Sequence, residues 1–198
     1  KRIEYSDFLE VHRILFEGLY PWAGKDRAEV LPDSAVKKGA LYFCHPRDCR
    51  LAVSEGLSVA QDKKQMDKRP GFIMGMFAYG HPFLDGNGRT MLLVHAELCF
   101  RANMSVNWMR TSKQPYLDAL TQEIQAPKDG HLDAYLKPFI EPQIPRENWL
   151  QSVSDLPGLD GIDAESDVSA GYSDPAITKE YQEFERRRGY QLDNKHAD

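Results

Sequence analysis

His81-Pro82-Phe83-Leu84-Asp85-Gly86-Asn87-Gly88-Arg89-Thr90 stands between two apolar stretches and packs a base, an acid, two glycines and a fixed cation into ten residues. A loop this polar between buried elements carries function more often than packing. Glycines that open a helix let the backbone approach a ligand, and the unpaired N–H groups of the first turn present partial positive charge. Gly86, Asn87 and Gly88 therefore form a cradle for an anion such as a diphosphate, and Arg89 adds a planar fork for phosphate oxygens. Asp85 beside such a cradle either caps the next helix or holds Mg²⁺ against the phosphates. His81 either caps the preceding helix or takes a proton from an incoming hydroxyl. Phe83 reads as a core anchor for the loop. Asn87 either holds a substrate oxygen or tolerates left-handed backbone.

Working outward, Pro70-Gly71 opens a largely apolar helix over 71–80 that delivers His81, and Thr90 to Asn103 is apolar almost all round. A helix apolar on every side sits at the centre of a bundle. Ser6 is the expected N-cap of a first helix with Phe8, Val11, Leu15 and Leu19 as its stripe, closed by Tyr20-Pro21-Trp22-Ala23-Gly24. Residues 26–44 read as a short hairpin whose second strand is Ala40-Leu41-Tyr42-Phe43, and 46–64, 113–125 and 131–140 read as helices. Composition changes after residue 141, where proline, glycine and acidic residues replace the periodic pattern. The expected organisation is a core over 1–140, an irregular linker over 141–172, and a terminal helix and tail over 173–198. Asp174-Pro175 starts that last helix, Ile177, Tyr181 and Phe184 mark its docking face, and Arg186-Arg187-Arg188 complement its dipole before Gly189.

The 198 residues suffice for one domain with a core, and a first residue of Lys reads as a fragment. No run of eighteen apolar residues occurs, so no membrane span is expected, and Lys1-Arg2-Ile3-Glu4-Tyr5 lacks the apolar segment of a signal peptide. A net charge of −5 argues against nucleic acid as a partner. Cys44, Cys49 and Cys99 form no framework, which fits a reducing cytoplasm. Cys99 reads as a buried small hydrophobe, and Cys44-His45-Cys49 lacks the second ligand pair a zinc site needs.

His81 through Arg89 reproduce His-x-Phe-x-(Asp/Glu)-Gly-Asn-Gly-Arg, and the chain resembles the Fic family over roughly residues 5–140. Leu15-Phe16, Tyr20 to Lys25 and Asn107-Trp108 are similar to the flanking segments of that family. The resemblance implies an all-α, Fic-type helical bundle with one short β-hairpin flap. It implies transfer of a nucleotide moiety, most often AMP from ATP, to a protein hydroxyl. In that scheme His81 deprotonates a target Ser, Thr or Tyr, Asp85 holds Mg²⁺, and Gly86, Asn87, Gly88 and Arg89 bind phosphate. The hairpin, with Leu41, Tyr42 and Phe43, docks the target protein in extended form. The family's inhibitory Ser/Thr-x-x-x-Glu helix has no full match here, so either the chain is unregulated, or a separate antitoxin-like inhibitor protein covers it, or sequence beyond these residues does so. One position departs. The family's second arginine falls at Leu92, which donates no hydrogen bond, and a lost charge-assisted contact costs on the order of 1.5–3 kcal/mol. Donors other than ATP, and a degenerate domain that binds nucleotide or a protein without turnover, therefore stand as alternatives. Arg101 and Arg110 are the candidate substitutes.

Overall fold

The computed structural model describes residues 1–154 and 167–192. Its helices are α1 (Tyr5–Phe16), α2 (Arg27–Val30), α3 (Cys49–Ala60), α4 (Lys63–Lys68), α5 (Pro70–Gly80), α6 (Asn87–Arg101), α7 (Lys113–Gln125), α8 (His131–Leu136), α9 (Arg146–Ser154) and α10 (Pro175–Arg188). Strands β1 (Ser34–Lys38), β2 (Leu41–Tyr42) and β5 (Asp167–Gly171) form one antiparallel sheet in the order β2-β1-β5, while β3 (Met104–Val106) pairs with β4 (Ile140–Pro142). The helical bundle with a hairpin is the architecture the sequence implied.

The centre of the bundle is α5 rather than α6: every residue of α5 is buried, whereas α6 keeps partly exposed positions along one side. Small residues make this possible. A Cβ on Gly71 would lie 2.3 Å from the Asp133 backbone nitrogen, so α8 packs backbone to backbone against the start of α5. The Asp133 carboxylate accepts the Gly71 N–H at 2.6 Å and so serves an orphan donor of that first turn. Uniform burial leaves α5 with little choice of orientation from its own pattern. Its neighbours set it.

Several local expectations change. Helix α1 begins at Tyr5 with Glu4 as its cap, not Ser6, and the Asp7 carboxylate accepts the Glu4 N–H at 3.0 Å. Its buried face is Phe8, His12 and Phe16. Leu15 and Leu19 of the expected stripe are 38% and 70% exposed. Residues 27–30 are a helical turn rather than part of the hairpin, and Asp26 caps it by accepting the Glu29 N–H at 3.1 Å. The expected helix 46–64 breaks at Gln61–Asp62, where Asp62 accepts the Lys64 N–H at 2.8 Å and starts α4. The stretch 141–172 is not irregular throughout: β4, α9 and β5 lie in it, and 155–166 fall outside the described residues.

The terminal helix α10 docks on the bundle through buried Tyr181 and Phe184, capped by Asp174 at one end and by Gly189 in left-handed conformation at the other. Arg188 is more than a dipole charge. It is buried, donates from Nε to the Ile124 carbonyl at 2.9 Å and lies 3.6 Å over the Tyr79 ring.

Candidate active site

The loop 81–86 links the C-terminus of α5 to the N-terminus of α6. His81 ends α5 in left-handed conformation, φ 39° and ψ 56°, with its N–H on the Phe77 carbonyl at 3.1 Å. A residue with a Cβ takes this conformation only when its surroundings enforce it. Here the enforcing group is Arg27. This fully buried side chain donates from Nε to the His81 carbonyl at 2.7 Å and from Nη2 to the Cys44 carbonyl at 2.8 Å. A longer contact of 3.4 Å joins Nη1 to the Ser34 carbonyl. The Arg27 N–H also reaches the Pro82 carbonyl at 2.6 Å. One guanidinium thus ties the loop to the first residue of β1 and to the segment just after β2.

The His81 imidazole stacks on Phe43 with centroids 3.9 Å apart. Its Nε2 is buried and has no hydrogen-bond partner. Burial, with further contributions from the Arg27 and Lys38 charges, holds the ring well below the usual imidazole range, so it is a neutral base at neutral pH. An unpartnered buried nitrogen calls for an explanation.

Across the loop, His12 is also buried and neutral, its pKa pushed down to about 4 chiefly by burial. Both its nitrogens are committed. Nδ1 accepts the Gly24 N–H at 2.9 Å, so Nε2 carries the hydrogen and donates to the Asp85 carbonyl at 3.1 Å. Its ring stacks on Phe83 at 3.6 Å, and Phe83 is wholly buried. Gly86 then turns the chain at φ 78°, where a Cβ would lie 2.5 Å from the Phe16 ring. Only glycine meets both demands.

The Asn87 side chain faces the loop itself. Its Oδ1 accepts the Phe83 N–H at 2.9 Å and its Nδ2 donates to the Phe83 carbonyl at 2.8 Å. Its amide is spent on loop shape, and only its backbone N–H, with those of Gly88 and Arg89, belongs to the open first turn of α6. The Arg89 guanidinium lies 4.5 Å over Phe16 and 3.9 Å from the Asp85 carboxylate. Asp85 is half-exposed, accepts the Gly86 N–H at 2.6 Å on Oδ1, and accepts the Tyr20 hydroxyl on Oδ2. Each carboxylate oxygen retains a lone pair. Among the described residues no group of three or more His, Cys, Asp or Glu could hold a metal. The residues fit a Mg²⁺ site of one carboxylate whose remaining ligands are phosphate and water.

The flap residues Leu41, Tyr42 and Phe43 are all buried. The Tyr42 hydroxyl donates to Glu180 at 2.6 Å, and Phe43 covers His81. Their side chains face inward, so only backbone remains to pair with another chain. Leu92 is 7% exposed within the core. Neither candidate substitute for the second arginine comes near. Arg101 ends α6 and binds Glu97 at 2.8 Å, and Arg110 lies 3.4 Å from Glu141 of β4. A cavity of about 230 Å³ between α6, β3 and Trp149 also belongs to that far end.

Residues 2–99 match the Fic/DOC family model. The chain belongs to the Fic/DOC family. It is 25% identical over 127 residues to a probable protein adenylyltransferase of Sinorhizobium fredii, covering 60% of this chain and 64% of that one. It is 28% identical over 122 residues to a protein adenylyltransferase of Bartonella schoenbuchensis, covering 57% and 24%. This Fic chain therefore spans less than two thirds of the one relative and about a quarter of the other. The BepC effector of Bartonella tribocorum, solved with bound AMPPNP, superposes with a TM-score of 0.59 at 18% identity, covering 71% of this chain and 76% of that one. The N-terminal Fic domain of a VirB-translocated effector of Bartonella quintana, solved with bound ADP, gives 0.60 at 17%, covering 75% and 76%. At these identities the structures share the fold.

His12, Tyr20 and Arg27 are the site-forming residues that the sequence pattern missed. The spacing Phe8–His12–Phe16 was the available signal for His12. Tyr20 lay in the aromatic turn already noted. Arg27, alone between Asp26 and Ala28, gave none.

Proposed function

We propose that this Fic-family chain transfers a nucleotide moiety, AMP from ATP in the first instance, to a hydroxyl side chain of a target protein. The observation that carries the proposal is the neutral, partnerless Nε2 of His81 on a loop that leads straight into a glycine-opened helix N-terminus. The backbone amides of Asn87, Gly88 and Arg89 at the turn made by Gly86, with the Arg89 fork, would receive the phosphates, and Asp85 would hold Mg²⁺, which supplies charge neutralisation on the diphosphate when bound. His81 takes the proton of the target Ser, Thr or Tyr hydroxyl. The oxygen forms a bond to the α-phosphorus, and the bond from that phosphorus to the pyrophosphate oxygen breaks. A positioned base contributes roughly 10²–10⁴ in rate. The backbone of the hairpin would align the target segment. The names of the adenylyltransferase relatives and the bound nucleotides of the structural neighbours support this choice. Action in a reducing cytoplasm, including that of a host cell reached by translocation as for the Bartonella effectors, belongs to the same proposal.

Incubation with Mg²⁺, α-labelled ATP and a cell lysate tests it, with UTP, GTP and CDP-choline as parallel donors. A labelled protein that disappears with His81→Ala supports transfer and identifies the donor. Binding of nucleotide with no transfer from any donor overturns it in favour of a non-catalytic Fic domain.

A further inference from the structure

The hairpin has two edges. The outer edge of β2 is two residues long, and just beyond it the Cys44 N–H is already bonded to the Tyr79 carbonyl at 3.0 Å. The outer edge of β1 is five residues long and could pair with an extended segment, but β5 lies on it. Ser34 is opposite Gly171, Val36 opposite Val168 and Lys37 opposite Asp167. The Tyr172 N–H then continues the pairing to the Asp33 carbonyl at 2.7 Å.

We propose that β5 is a strap of this same chain that closes the target-docking edge of the flap in cis, so that a target segment docks only after β5 leaves. The proposal rests on the transferase reading and adds its regulation. Three features make β5 a competitor rather than a fixed part of the sheet. It is an edge strand, held on one side only. It carries a bulge: between the first two paired positions β1 advances two residues and β5 three, which leaves one residue unpaired and weakens the ladder. It is also tethered close by. Helix α10 follows directly and is anchored to the flap and the bundle through Tyr42–Glu180 at 2.6 Å, the His45 N–H on the Tyr181 hydroxyl at 3.1 Å and Tyr79–Glu185 at 2.7 Å. A short tether gives an effective concentration in the millimolar range, far above that of an ordinary cellular target. The closed state therefore dominates until something withdraws the strap.

The test uses the full chain with Val36→Cys and Val168→Cys together, which places a thiol at each of two paired positions; Cys44, Cys49 and Cys99 are buried. Mild oxidation forms one disulfide with loss of two electrons and two protons to the added oxidant. Transfer of label to lysate proteins should fall about tenfold or more in the oxidised form, and a reductant should restore it. A second variant, Val168→Pro, removes a strand-compatible residue from β5 and should raise transfer several-fold over the unmodified chain while hydrogen exchange shows β1 amides newly exposed. If transfer is unchanged by locking and by release, the strap is overturned and the transferase reading stands. If no version of the chain transfers label from any donor, both fall together.

Discussion

Two buried imidazoles flank the loop, and their surroundings differ. On the side of α1, His12 has a partner on each nitrogen and lies between aromatic rings. On the side of the flap, His81 is also buried and neutral, yet its Nε2 has no partner. A satisfied polar group in a core stabilises the fold; an unsatisfied one costs stability and persists where it does something else. The contrast separates a histidine that builds the loop from one that is available for chemistry.

The largest effect should come from removing the available ring. His81→Ala is expected to lower transfer by roughly 10²–10⁴ while changing the denaturation midpoint little, since it removes an unpartnered buried nitrogen and the loss of the Phe43 stacking offsets that gain; the left-handed backbone is equally strained with alanine. A midpoint that drops steeply with His81→Ala would erase the distinction drawn here. Next comes Arg27→Met, which leaves three carbonyls without their shared donor. Breaking such a buried charged network costs about 3 kcal/mol or more, read by urea denaturation, and transfer should fall with it because His81 loses its enforced conformation. Full activity in Arg27→Met would show that the αL geometry holds itself.

His12→Phe should act on stability first, by about 1–3 kcal/mol, as the Gly24 N–H and Asp85 carbonyl lose their partner. If instead it abolished transfer at unchanged stability, His12 would belong to the chemistry and the comparison would reverse. The smallest and most distributed effect is with pH. His12 and His95 are both pushed from 6.5 down to about 4, chiefly by burial, and His81 is shifted the same way. As pH falls below about 6.5 the unfolded chain takes up protons that the folded chain refuses. Stability is therefore full above that value and declines toward about pH 4, and the acid limb of transfer should lie below the ordinary imidazole value. Glu123, pushed up from 4.5 to about 7 chiefly by burial, acts with the opposite sign over part of this window. The histidine share is therefore read by comparison: the denaturation midpoint should fall less between about pH 7 and about pH 5 in His12→Phe than in the unmodified chain, and equal falls would contradict the shift assigned to His12.

Local chemistry made much of this legible from residues alone. Asp174-Pro175 and Gly189 bounded α10 because caps act over one turn of chain. Pro70 opened α5, and the glycines marked the turn into α6, for the same reason. The stripe on α1 misled because Leu15 and Leu19 are apolar yet stay exposed, while His12 is polar yet fully matched by groups distant in sequence. The stretch after residue 141 looked irregular because its proline and glycine content conceals strands whose partners are 30 or more residues away, as Ser105 and Glu141 show.

The sequence by itself determined the helical class, the hairpin, the loop and its chemical inventory, since period, caps and glycine chemistry depend on near neighbours. Only the tertiary structure decided that Arg27 sets His81, that the Asn87 side chain is committed to the loop, and that β5 lies on β1. The first and the last are contacts between groups far apart along the chain, and the second joins Asn87 to Phe83 only four residues away; all three depend on burial and partner geometry, which no local pattern encodes.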